Sequence, residues 1–191
     1  MSSRIMRPMT PFTLHREHAS VLIIDFQIRL FQAMDETYAF RHAKNAEHLV
    51  YASSAFDLPL LVTEQKKLGK TMPSLHVSED TPVFDEKLNF SCLNHPGFAD
   101  ALRKTGRKQV IVGGMETHVC VAQTVRDLLI EGYEVVVAGD ACLSRRNLDW
   151  RQGLARMERD GAHRWSTESI LFELLGSFEG ATAKEISRRI R

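Results

Sequence analysis

Short, near-continuous apolar runs alternate along the chain with longer stretches in which apolar residues recur every three to four positions. Four runs stand out: SVLIID (20–25), LPLLVTE (58–64), QVIVGG (109–114) and YEVVVAGD (133–140). Unbroken apolar character rich in β-branched residues marks strands covered on both faces. PVFDEKLNF (82–90) offers a further short strand, and AHRWST (162–167) a weaker sixth. Between them, 39–56, 96–105, 118–132 and 147–160 carry helical spacing or good helix formers, and 169–175 opens one more helix. This alternation predicts an α/β fold built on a parallel sheet. No repeat, low-complexity segment or linker interrupts it. The expected organisation is an N-terminal tail over 1–18 and a single domain over 19–191.

Composition narrows the partners. With 191 residues, 43% of them hydrophobic, the chain can bury a sizeable core. Twenty-five Lys and Arg against 24 Asp and Glu leave a formal charge of +1, so no field points to nucleic acid or to an anionic membrane. A small-molecule substrate fits that balance. Cys92, Cys120 and Cys142 make an odd set without a C-x-x-C pair, a poor disulfide framework and a poor zinc set. A reducing compartment, the cytoplasm, is the simplest reading. The opening MSSRIMRPMTPFTLHREH lacks the apolar core of a secretory signal, and no run reaches the length of a membrane span. Its arginines leave an organellar presequence as the lesser alternative.

In an open parallel sheet the site lies beyond the carboxyl ends of the strands, where strand order reverses. Asp25 ends the first run and Glu64 the second, the third region offers Lys87, and the fourth runs into Gly113-Gly114 and then Cys120. A thiol in the first turn of a helix beside a lysine is expected to ionise far more easily than the ordinary cysteine. The unpaired N–H groups of that turn could hold an oxyanion, and a carboxylate in reach could carry the proton to a departing amine. On this reading Lys87 holds Asp25 and Cys120 anionic together. Cys92 and Cys142 read as packing residues, and Asp140 as a cap or loop anchor.

The motifs IIDFQ, TEQ…GKTMPSL, KLNFSC and GGMETHVCVAQTVRDLLIEGYEVVVAGDAC together resemble the isochorismatase-like cysteine hydrolases, over about Val21 to Leu175. The wording TEQKKLGKTMPSL and the tail ARMERDGAHRWSTESILFELLG are most similar to the isochorismatase domain-containing protein branch. The resemblance implies a three-layer α/β/α sandwich around a mainly parallel six-stranded, Rossmann-like sheet of order 3-2-1-4-5-6. It also implies a catalytic triad of Asp25, Lys87 and Cys120, and oxyanion donors at the backbone N–H groups of Glu116 and Cys120. A cis peptide between Met115 and Glu116 and a homo-oligomer, dimer or larger, follow from the same resemblance.

Departures from the family pattern set the subtype. Thr63-Glu64-Gln65 stands where metal-dependent relatives carry Asp-x-His, so the reading names no metal and no cofactor. Cys120 stands at a position where the vinyl-ether-cleaving relatives lack cysteine. The expected reaction is therefore hydrolysis of a small amide or related C–N bond through a thioester acyl-enzyme. The alternative is a non-catalytic binding or scaffold protein that retains the fold and its assembly. Gln27, Phe31, Glu64 and His118 are further pocket candidates. Glu64 reads better as a strut for the loop that follows it, Phe31 and Trp165 equally as core aromatics, and Thr117 as a helix cap.

Overall fold

A computed structural model describes residues 11–190 of the chain. Its elements run β1 (Ala19–Ile24), α1 (Ile28–Phe31), α2 (Glu36–Ala55), β2 (Leu60–Gln65), β3 (Val83–Lys87), α3 (Phe98–Lys104) and β4 (Gln109–Met115). A π-turn (Thr117–Val121) leads into α4 (Ala122–Ile130), followed by β5 (Glu134–Leu143), α5 (Asn147–Asp160), β6 (His163–Trp165), α6 (Thr167–Leu175) and α7 (Gly180–Arg189). The six strands form one parallel sheet of order β3-β2-β1-β4-β5-β6. The expected architecture and the reversal between β1 and β4 are therefore present.

The strand sequences account for the layers. Every residue of β1 is buried, and successive side chains take opposite faces. Val21 and Ile23 enter the core shared with α2, α6 and α7, whereas Leu22 and Ile24 enter the core shared with α3, α4 and α5. Burying side chains of this size stabilises the fold by about 1.5–3 kcal/mol each. Two helices escape the sequence reading. The four-residue α1 is too short to show a period, and α7 is largely polar, with only Ala183 and Ile186 buried.

The boundary of the expected tail moves. Leu14 is buried, Phe12 stacks on His163 at 3.9 Å, and the His15 N–H donates to Gln109 Oε1 at 2.8 Å. Residues 11–18 thus belong to the packed body, because polar β1 neighbours such as Gln109 need their backbone partners. Residues 1–10, on which the presequence alternative rests, lie outside the described residues. Among the described residues no helix is long and apolar enough to cross a membrane.

The Gly113-Gly114 pair now has a physical explanation. Gly114 pairs with Ile24, adopts φ +153°, and a Cβ there would sit 2.3 Å from the Ile24 carbonyl oxygen and 2.7 Å from its Cβ. A side chain at this position would wedge β1 from β4 one residue before Asp25. Gly113 is roomier: its Cβ would meet Leu49 Cδ1, the end of a side chain that can shift, at 3.0 Å and the Ala141 carbonyl oxygen at 3.3 Å. Gly114→Ala is expected to destabilise the fold by about 3 kcal/mol in urea unfolding, and Gly113→Ala by clearly less. Equal losses would contradict the close strand approach.

Candidate active site

Three segments bring the site together at the carboxyl edge of the sheet. Where β1 ends, Asp25 turns into the left-handed region (φ 49°), donates its N–H to the Thr63 carbonyl at 3.1 Å and accepts the Gln27 N–H at 2.8 Å. Asp and Asn tolerate this conformation better than most side chains. The turn leaves the carboxylate wholly buried, with the Thr63 hydroxyl donating to Oδ1 at 2.7 Å.

Lys87 closes β3, an edge strand whose other residues are mostly exposed. The register with β2 shifts between Thr63 and Gln65, and Glu86 takes φ 55° just ahead of the lysine. Irregularities of this kind re-aim a side chain. Here the ammonium is swung inward, to 2.8 Å from Asp25 Oδ2, with both side chains fully buried. Its N–H groups donate to Gln65 Oε1 at 2.5 Å and to the carbonyls of Asn89 and Phe90 at 3.0 and 3.2 Å, while Asp25 Oδ2 is held by the ion pair. Removing two ions from water costs several kcal/mol each, which only such saturation offsets.

Cys120 comes from the π-turn after β4. The Met115–Glu116 peptide is cis, and the N–H groups of Val119 and Val121 both donate to the Glu116 carbonyl, at 3.0 and 3.2 Å. The Glu116 carboxylate is tied down by Arg145, through its backbone N–H and through Nε and Nη2, at 3.0–3.2 Å. On the far side α5 presses against the turn. A Cβ on Gly153 would lie 3.0 Å from His118 N, His118 Cα and Thr117 C. Thr117 makes no side-chain cap, and the Thr124 hydroxyl donates to the Cys120 carbonyl at 2.7 Å.

The expected ionised thiol is not what this environment produces. Burial above all, and then the Asp25 charge, push the Cys120 thiol well above the ordinary cysteine range, with Lys87 opposing only in part. A fully buried ammonium committed to three acceptors and one ion pair has little left to stabilise a second anion. The resting site therefore pairs a carboxylate with a neutral thiol. Cys92 and Cys142 are free and buried too, their thiols pushed up to about 11 and about 12, chiefly by burial.

Comparison with known proteins places this arrangement. Residues 19–169 match the Isochorismatase domain. The chain belongs to the isochorismatase family. It is 34% identical to isochorismatase domain-containing protein 2 of Xenopus laevis over 148 residues, covering 76% of this chain and 71% of that protein. Among solved structures, MAR1 ribonuclease from Caenorhabditis elegans superposes with a TM-score of 0.85 at 32% identity, over 94% of this chain and 92% of the other. YcaC from Pseudomonas aeruginosa, solved with hexane-2,5-diol and covalent acrylamide, gives 0.90 at 26% identity, over 95% and 93%. Family membership marks the protein as a hydrolase.

Around Asp25, Lys87 and Cys120, several residues named from sequence serve the scaffold. Glu64 accepts the N–H and hydroxyl of Thr71 at 2.7 and 2.9 Å and pairs with Lys70 at 3.1 Å. Gln27 donates to the carbonyls of Gln65 and Gly69 and accepts the Gln65 N–H, so its amide is spent on the same loop. Phe31 packs against Phe26 and Phe40, and Trp165 against Phe12. His118 is half-buried, with Nδ1 3.1 Å from Ser144 Oγ. Asp140 anchors α6 through the Thr167 N–H and hydroxyl. Thr63 and Gln65, named from sequence only as a departure from the metal-binding motif, touch Asp25 and Lys87 directly. Alternation along β2 was the available signal: if Glu64 faces the loop, its two neighbours face the other way.

Proposed function

We propose that this isochorismatase-family chain is a metal-independent cysteine hydrolase that cleaves a small amide or related C–N bond through a thioester on Cys120. The observation that carries the reading is the buried Asp25–Lys87 pair, 2.8 Å apart, facing a protonated thiol. Asp25 takes the Cys120 proton as sulfur bonds to the substrate carbonyl carbon, and the carbonyl oxygen becomes an oxyanion. The backbone N–H groups of Glu116 and Cys120 receive that charge, an interaction worth about 2.7–4 kcal/mol per donor. Asp25 then delivers its proton to the departing nitrogen, the C–N bond breaks, and the thioester remains. A water molecule, losing its proton to Asp25, attacks the thioester; the C–S bond breaks, Asp25 returns that proton to sulfur, and acid and thiol are released. Lys87 holds the Asp25 carboxylate in place between steps through their ion pair.

The covalent acrylamide in the Pseudomonas relative supports a reactive nucleophile in that protein, since acrylamide is an electrophile to which thiols add. The name of the nematode relative raises RNA as a substrate. The formal charge of +1 and the full commitment of Lys87 favour a small ligand here. In a screen of small amides, wild type is expected to release amine and acid while Cys120→Ala releases none. Undiminished turnover by folded Cys120→Ala would overturn the mechanism.

We also infer a homo-oligomer. Helix α4 spends most of its apolar residues inside the subunit: Ala122, Val125 and Leu128 are buried, and Ile130 is exposed. Other large apolar side chains are exposed on several elements, among them Leu88 and Phe90 after β3, Phe40 on α2, Leu148 on α5 and Phe178 after α6. Light scattering at micromolar concentration is expected to give a multiple of the 21.7 kDa chain. A monomer mass would refute the inference.

A further inference from the structure

Behind Asp25 lies a second set of polar contacts that the proposed reaction does not use. The Thr63 hydroxyl, 2.7 Å from Asp25 Oδ1, is 3.6 Å from Cys92 Sγ; Cys92 Sγ is 3.4 Å from Thr124 Oγ1, and the Cys92 N–H donates to that same oxygen at 3.1 Å. Thr124 in turn reaches the Cys120 carbonyl at 2.7 Å. Thr63, Cys92 and Thr124 are wholly buried, so each proton must be assigned within the protein.

The assignment follows from which atoms can only accept. A carboxylate oxygen has no proton, so the single Thr63 proton points at Asp25. A carbonyl oxygen has none either, so the Thr124 proton points at Cys120 O. The lone pairs of both hydroxyls then face Cys92, which supplies its N–H to Thr124 and its S–H to Thr63. Cys92 can play that part because burial, reinforced by the Asp25 charge, pushes its thiol up to about 11 and keeps it a donor. Resting on the hydrolase reading above, we infer that Thr63 is a positioning residue that aims Asp25 at Cys120 and favours its base form, and that Cys92 orients the Thr63 hydroxyl for this task.

The titratable groups facing Asp25 among the described residues are Lys87 at the end of β3, Cys92 in the turn that follows it, and Cys120 in the π-turn. With Lys87 charged and both thiols neutral, the hydrogen bond to Oδ1 is the contact that Thr63→Val removes without changing size or charge. A donor to a carboxylate favours its ionised form, so losing it makes a proton easier to add.

The test reads the rate of Cys120 alkylation by iodoacetamide against pH on the full chain, by mass spectrometry of its peptide, so that no substrate is needed. Wild type is expected to lose reactivity through two acid-side limbs, the lower one as the dyad gains its second proton, and Asp25→Asn to lack that lower limb and keep only the titration of its thiol. Thr63→Val should move the lower limb to higher pH by about one unit, and Thr63→Ser should return it. Cys92→Ala should move it in the same direction by less, and this arm decides if Thr63→Val does not fold. An unmoved lower limb in a folded variant overturns the relay and leaves the dyad standing. A wild type without the lower limb, or a lower limb that survives in Asp25→Asn, overturns the dyad and the relay with it.

Discussion

The site depends on one buried ion pair, Asp25 with Lys87. A carboxylate without its lysine would have to leave the interior or take up a proton, and either change removes the base that the thiol faces. The pair costs desolvation energy, which the protein offsets by saturation: Thr63 on one carboxylate oxygen, and Gln65, Asn89 and Phe90 around the ammonium. Because the lysine is consumed in this way, it serves the carboxylate and not the sulfur. The same burial that makes the pair costly keeps Cys120 protonated.

Fold geometry delivers these groups from distant parts of the chain. The sheet reverses its order between β1 and β4, which sets Asp25 beside the turn carrying Cys120, and Gly114 permits that approach against Ile24. β3 lies two strands away from β1, so its lysine must reach across β2, and the irregular register at the end of β2 turns it inward. Arg145 and Gly153, both supplied after β5, hold the cysteine turn from the other side. Positions from five strand ends or their loops thus converge on one thiol.

Much of this was legible in the sequence because burial on both faces writes an unbroken apolar run, and four such runs with helical spacing between them leave few topologies. Asp25, Lys87 and Cys120 were legible as strand-end residues and through the family resemblance. What could not be read is what depends on three-dimensional neighbours. Thr63 looks like any strand threonine until Asp25 is placed beside it, and Glu64 looks chemical until its loop is folded over it. The state of the thiol was misjudged for the same reason: the helix start is visible along the chain, whereas the burial that opposes its effect is not.

The account turns on a neutral thiol beside an ionised carboxylate, and thiolate absorbance at about 240 nm reads that state directly. Cys92 and Cys142, held up at about 11 and about 12, stay silent through the neutral range, so any signal there belongs to Cys120. Wild type is predicted to show no thiolate at neutral pH, and Asp25→Asn to begin titrating at lower pH than wild type. One thiolate per chain in wild type at neutral pH, or a titration that moves upward in Asp25→Asn, would contradict the account.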